Sequence, residues 1–253
     1  MKLTNVLHNS IKGIANFYHT LGDLVTPRHC VSCGAASGNS YLCAACKDTI
    51  ILRPTTGCCK ICGNLPSSGS HGFMYCSSCL ANRPTYDIAR SATIYEGAVR
   101  DMILALKYKQ GTYLVKDLAA LVEGCVRASY SDEQIDAICP IPLYPTKERE
   151  RGYNQAALIA KELSKNLGVP YMPQLLERVR HTFTQTKLNS EQRKENVHGA
   201  FNSSNTVADY VYGRNILLVD DVFTTGATCS ECASVLKRNH AGKVFVVSIA
   251  REQ

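Results

Sequence analysis

The residues of this chain that could do chemistry fall into three groups, and the densest is residues 216–228. Four apolar residues, 216–219, are followed by Asp220 and Asp221, two more apolar residues, and then Thr224, Thr225, Gly226, Ala227 and Thr228. Adjacent carboxylates accept hydrogen bonds from sugar hydroxyls or help to hold a magnesium ion. A small, hydroxyl-rich turn that opens a helix offers backbone N–H groups and a positive helix end, which suits a phosphate dianion. Taken singly, each half has an ordinary reading, as a strand end or as a helix N-cap with a close turn. Contiguous, they describe a phosphorylated ribose.

The second group is Lys147, Arg149, Arg151 and Gly152, which follow a short apolar stretch closed by Pro140 and Pro142. A loop rich in Arg and Gly between a strand and a helix is a second anion site when it lies in the same sheet, and a charged surface turn otherwise. Lys107, at the end of a helical pattern, is either a ligand-facing charge or a solvated helix end.

Cysteines form the third group. Of thirteen, nine lie between Cys30 and Cys79. Cys30 and Cys33 pair with Cys43 and Cys46; Cys59 and Cys62 pair with Cys76 and Cys79. Each half supplies four thiolates from two knuckles, the tetrahedral set of a structural Zn2+ with no open position for catalysis. Gly34 and Gly63 follow the second cysteine of a knuckle, where a residue tolerant of positive φ turns backbone N–H groups toward sulfur. Cys58 is read as a spare, His71 is the alternative ligand, and an interleaved pairing of the knuckles stays open.

These groups need elements to position them. Residues 216–219 are apolar on both faces, as in a buried parallel strand, and residues 89–95, 135–141, 175–178 and 244–249 read as further strands. Helical spacing covers 98–108, 113–127, the stretch from Gln155 to Leu167, and the stretch after Thr228. The α/β pattern begins at residue 86. It predicts a mostly parallel sheet flanked by helices over 86–253, a double zinc ribbon over 27–85 and an amphipathic helix over 1–26. The basic connection over 178–201 reads as a weakly structured lid that closes over a diphosphate.

At 253 residues, 45% hydrophobic and 19% charged, the composition is globular and excludes a disordered chain. The net charge of +7 suits a phosphorylated ligand or nucleic acid. Paired knuckle cysteines, no secretory signal and no apolar run of ~18 residues predict a soluble cytoplasmic protein.

The 216–228 block resembles the 5-phosphoribosyl-1-pyrophosphate (PRPP) motif of type I phosphoribosyltransferases. The chain as a whole resembles the ComF family of competence-associated proteins, which includes the ComFC and GntX types. The likeness runs from about residue 27 to 251. It is carried by the paired ribbons, Ala98-Val99-Arg100, Leu106-Lys107-Tyr108, Ile141-Pro142-Leu143, Arg151-Gly152-Tyr153-Asn154-Gln155, and the spaced Arg178, Arg180, Gln185, Arg193 and Asn196.

The resemblance implies that Asp220 and Asp221 hold ribose hydroxyls and residues 224–228 bind the 5-phosphate. It implies that the loop over 142–151 faces the pyrophosphate with Mg2+ between, and that Lys107, Arg151, Gly152 and Arg193 complete the PRPP contacts. It also implies a role in natural transformation, in handling single-stranded DNA beside a competence helicase or DNA-processing protein. In purine-type relatives the first position of the phosphate turn is an Asp that can act on the base; here it is Thr224. Alternatives are an active transferase on an unidentified base, nucleotide or DNA acceptor, and a non-catalytic PRPP-sensing adaptor. The oligomeric state stays open.

Overall fold

The computed structural model describes residues 28–66, 74–181, 190–203 and 205–252. The expected helix over 1–26, His71 and Gln185 lie outside the described residues. The chain divides into two compact units, one ending at Ile50 and the other beginning at Ile51.

In the first unit β1 (Arg28–His29) pairs antiparallel with β2 (Ala36–Gly38), and α1 (Ala44–Asp48) follows. Cys43 caps this helix, its sulfur accepting from the Cys46 backbone N–H. The second unit begins with the other cysteine knuckles and α2 (Ser77–Ala81). It continues through β3 (Ile88–Ile94), α3 (Gly97–Tyr108), α4 (Val115–Ser129), β4 (Ala137–Pro140), α5 (Pro145–Arg151) and α6 (Gln155–Leu167). After β5 (Glu177–Arg178) come α7 (Ser190–Val197), β6 (Phe201–Asn202), α8 (Asn205–Val211), β7 (Ile216–Phe223), α9 (Ala227–Arg238) and β8 (Val244–Arg251).

Four strands form the central sheet in the order β3-β8-β7-β4, and every pair is parallel. Parallel sheets are buried on both faces, so their strands are apolar without alternation. Residues 216–219 of β7 are fully buried for that reason. Ile216 and Leu218 share a core cluster with Cys232, Ala233 and Leu236 of α9. Leu217 and Val219 project to the other face. On that face Tyr130, just past α4, places its ring 5.2 Å from Phe245. Pro140 cannot donate to a ladder, and β4 lies at the sheet edge, where that is tolerated.

Several sequence expectations are refined. β7 does not stop at the carboxylates: its pairing with β8 continues to Phe223 opposite Arg251, so both carboxylates sit on rigid strand. The stretch after Pro142 is not an open loop. Pro145 starts α5, and Gly152, at φ +82°, closes it, a left-handed position that glycine takes without strain. Asn154 then caps α6, accepting from the N–H groups of Ala156 and Ala157 while donating to Ile141 O. Of the 178–201 connection, residues 182–189 lie outside the described residues; Arg178 of β5 pairs with Phe201 of β6, and α7 precedes β6. The short strand expected over 175–178 is a 3-10 turn, Pro173–Leu175, followed by β5. No helix among the described residues is long and apolar enough to cross a membrane.

Candidate ligand site and metal centres

The carboxyl ends of β7 and β4 and the start of α9 enclose a cavity of about 270 Å³. Asp220 and Asp221 stand on one wall, Thr224, Gly226, Ala227 and Thr228 on a second, and Lys147, Arg151 and Arg178 on a third. This is where ligands bind in open α/β sheets, outside the carboxyl ends of strands.

Lys107 crosses to this site from the last turn of α3. Its Nζ lies 2.9 Å from Asp221 Oδ1, with both side chains only 17% exposed. The solvated helix end considered from sequence is therefore excluded. Burial alone would lower the lysine pKa, but the Asp221 and Asp220 carboxylates outweigh it and raise the value above the ordinary range. Asp220 behaves differently. Burial, reinforced by the charge on Asp221, pushes its carboxyl up to about 7. Its Oδ1 accepts from the Asp221 N–H at 2.8 Å, and the Cys229 thiol approaches Oδ2 at 3.7 Å. The two carboxylates are thus unequal: one is charge-neutralised by a lysine, and the other is poised to change protonation near neutrality.

The cationic wall is built by local structure. Lys147 and Arg151 are one helical turn apart on α5 and share a face. Arg151 is braced by donating to Gln155 Oε1 at 2.7 Å. Burial, then the charges of Arg178 and Arg151, draw the Lys147 ammonium down, and burial likewise lowers Arg178. Like charges crowded in this way are relieved by a bound polyanion.

The turn between wall and helix depends on one glycine. Gly226 has φ +78°, and a Cβ there would come within 2.6 Å of the Phe223 ring and 2.9 Å of Tyr86 Oη. Thr225 Oγ1 accepts from the Ala227 N–H at 3.4 Å. The first turn of α9 carries the positive end of its dipole to the cavity, and its Cys229 reaches the Asp220 carboxylate.

Of the residues singled out from sequence, Asp220, Asp221, Thr224, Gly226, Ala227, Thr228, Lys107 and Arg151 come together on this lining. Thr225 and Gly152 do not line it, and the Arg193 side chain lies outside the described residues. Lys147 and Arg178, both noted in the sequence, also line the cavity, as do Tyr95 and Glu252, which were not. Spacing of four between Lys147 and Arg151 would have signalled a shared face had the segment been read as helix. Glu252 directly follows the last strand, where the strand-end rule points.

On the other side of the phosphate turn lies a larger cleft, about 880 Å³. It is walled by residues 224–227 and by the segment that carries Cys62, Cys76 and Cys79.

Both cysteine quartets assemble as the spacing predicts. Within each, four sulfurs lie within 4.8 Å of one another: Cys30, Cys33, Cys43 and Cys46 in the first, Cys59, Cys62, Cys76 and Cys79 in the second. Contacts of 3.6 Å join Cys33 to Cys43 and Cys62 to Cys76. Thiolates about 2.3 Å from a central tetrahedral zinc stand about 3.8 Å apart, so both sets fit structural Zn2+. The interleaved pairing is excluded, and Cys58 stands outside both sets. Gly34 and Gly63 have φ +76° and +69°. Burial disfavours thiolates at Cys30 and Cys59, but surrounding backbone N–H groups prevail and lower them to about 6 and about 7.

The Cys59–Cys62 knuckle is gripped by arginines. Arg251 donates to Cys62 O at 2.6 Å, Arg53 to Gly63 O at 2.9 Å and Arg90 to Lys60 O at 3.3 Å. Ala89 of β3 donates its backbone N–H to Ile61 O at 2.6 Å. Two of those arginines sit on β3 and β8, and Arg251 also stacks over Phe223 at 4.8 Å.

The chain is 31% identical over 213 residues to Competence protein F of Haemophilus influenzae, covering 83% of this chain and 90% of that protein. It belongs to the ComF family. It is also 31% identical to DNA utilization protein YhgH of Salmonella typhimurium, over 90% of this chain and 99% of that one. Competence protein ComFC of Bacillus subtilis is 27% identical over 64% of this chain and 63% of its own length. A family profile described as a double zinc ribbon domain matches residues 21–80. Among solved structures, glutamine PRPP amidotransferase from B. subtilis aligns over 55% of this chain and 26% of its own, with TM-score 0.37 and 17% identity. Adenine phosphoribosyltransferase from Saccharomyces cerevisiae aligns over 56% and 71%, with TM-score 0.31 and 17% identity. These likenesses are too distant to bear weight on the site.

Proposed function

We propose that this ComF-family protein binds PRPP with Mg2+ in the dyad cavity and serves DNA uptake by handling incoming single-stranded DNA. The observation that carries the reading is the cavity itself: carboxylates, phosphate turn and cationic side chains share one lining around about 270 Å³. A 5-phosphate suits the turn of residues 224–228, vicinal hydroxyls suit Asp220 and Asp221, and a diphosphate suits Lys147, Arg151 and Arg178. Bound Mg2+ would offset diphosphate charge. Lys107 holds the Asp221 side chain in place through their ion pair, so that half of the dyad is positioned before ligand arrives. The competence role rests on the names of the relatives, and the split into a zinc-ribbon region over 27–85 and a transferase-like region from 86 is part of the same reading.

A second reading, an active transferase, is favoured by Glu252. It is the one carboxylate besides the dyad on the described lining, and it is where a proton acceptor for an incoming base would come from. The larger cleft across the phosphate turn would then receive the acceptor. A phosphorus NMR time course of PRPP and Mg2+ with the protein and a small-molecule extract of its own cells separates the readings. Shifted PRPP resonances without turnover support binding alone. A growing pyrophosphate signal, lost in Glu252→Gln, supports transfer. Unchanged resonances would overturn both.

A further inference from the structure

A recess of about 420 Å³ adjoins the dyad cavity and shares Lys107, Lys147 and Arg151 with it. Its remaining walls are Tyr108, Gln110, Glu150 and Tyr153. Tyr108 closes α3 and leaves 69% of its surface exposed, although burying an aromatic ring is normally favourable. The Arg151 guanidinium carbon lies 5.4 Å from the centre of that ring. Tyr153 is fixed by donating its hydroxyl to Leu106 O at 2.6 Å. The chain beyond Tyr108 is pinned as well. Gln110 is held at φ +53°, and a Cβ on Gly111 would meet the Ala105 backbone at 2.9 Å. Left-handed conformations at non-glycine residues persist where surrounding structure imposes them, commonly at ligand clamps.

We propose that Tyr108 and Arg151 form a stacking ledge for a base of single-stranded nucleic acid, with a neighbouring phosphate directed to Lys147. This rests on the reading that the protein handles single strands, and it names the place and the mode. An exposed aromatic face beside cations is the combination that binds single strands with little sequence preference, because every base has a π-face. A duplex keeps its bases stacked inside and cannot use such a ledge. Lys107 is offset by Asp221, but the one carboxylate on the described lining, Glu150, stands beside both Lys147 and Arg151, so the recess keeps a positive balance.

Fluorescence anisotropy with a short labelled oligothymidylate, on the full-length zinc-loaded protein, tests this. Tyr108→Ala should weaken binding by about 5- to 150-fold, the range for losing one base–aromatic stack. Tyr108→Phe, which keeps the ring, should bind as wild type does. An abasic oligomer of the same length should bind weakly and equally to wild type and Tyr108→Ala. Calorimetric PRPP affinity, measured in parallel, should be unmoved by either substitution. Equal oligothymidylate affinity for wild type and Tyr108→Ala, or an abasic oligomer binding as tightly as oligothymidylate, would overturn the ledge while leaving single-strand handling intact. No binding by wild type would overturn both, and the PRPP titration would still stand alone.

Discussion

Lys107 Nζ lies 2.9 Å from Asp221 Oδ1, joining the last turn of α3 to the carboxyl end of β7. Neither side chain has much solvent to fall back on. Removing either one strands the other, which costs about 1–3 kcal/mol for a covered charged partner. Lys107→Met and Asp221→Asn should each lower the unfolding midpoint. The double variant should lose less than the sum of the two, because the second change removes a group the first had already stranded. Strict additivity in thermal or urea unfolding would contradict a coupled pair.

Asp220 makes the site sensitive to pH in a defined direction. With its carboxyl near 7, burial having raised it, the group is protonated in acid and ionised above neutrality. A magnesium-assisted, hydroxyl-donating ligand favours the ionised form, so affinity should rise with pH through about 7 and level off above it. Stability runs the other way. The unfolded carboxyl ionises near its ordinary value of 3.8, so the folded state binds the extra proton between there and about 7 and loses stability as pH rises across that window. Asp220→Asn should flatten that slope in unfolding experiments from pH 4 to 8. A slope that survives the substitution would assign the effect elsewhere.

The two metal centres should behave differently on removal. Cys59 and Cys62 belong to the same buried cluster as Phe223 and Ala227, and their knuckle is held by Arg53, Arg90 and Arg251. Cys59→Ser should cost one zinc equivalent, lower the main thermal transition and weaken PRPP binding. Cys30→Ser should cost one equivalent and leave that transition in place. Elemental analysis with calorimetry checks this, and equal effects from the two variants would contradict it.

Gly226 is a second point of leverage. An alanine there meets both a left-handed backbone and the Phe223 ring at 2.6 Å. The conformational strain alone is about 1–3 kcal/mol. Gly226→Ala should therefore destabilise the fold and misplace the phosphate turn, whereas Gly124→Ala, in a helix with open space beside it, should be neutral or stabilising. Unchanged melting of Gly226→Ala would mean the turn adapts freely.

Much of this was legible in the residues. The apolar run over 216–219 announces a strand buried on both faces, and the paired cysteine spacings announce two tetrahedral sets. What sequence hides is contact across long separations. Lys107 and Asp221 are neighbours only because α3 and β7 converge at the same end of the sheet, and a lysine ending an amphipathic helix ordinarily points to water. The helix at 145–151 was masked by its charge and its glycine, both of which read as loop, though the glycine sits just past the helix and ends it. The grip of Arg251 on Cys62 joins residues 189 apart and has no local signature.

The most direct test of the central claim is a calorimetric titration of PRPP into the zinc-loaded protein with and without Mg2+, repeated on Asp221→Asn and on the double variant Lys147→Ala/Arg178→Ala. The wild type should bind saturably and with Mg2+ dependence, and each variant should lose at least about tenfold, one charge-assisted contact being worth roughly 1.5–3 kcal/mol. Wild-type affinity retained by both variants, or no heat with the wild type, would contradict it.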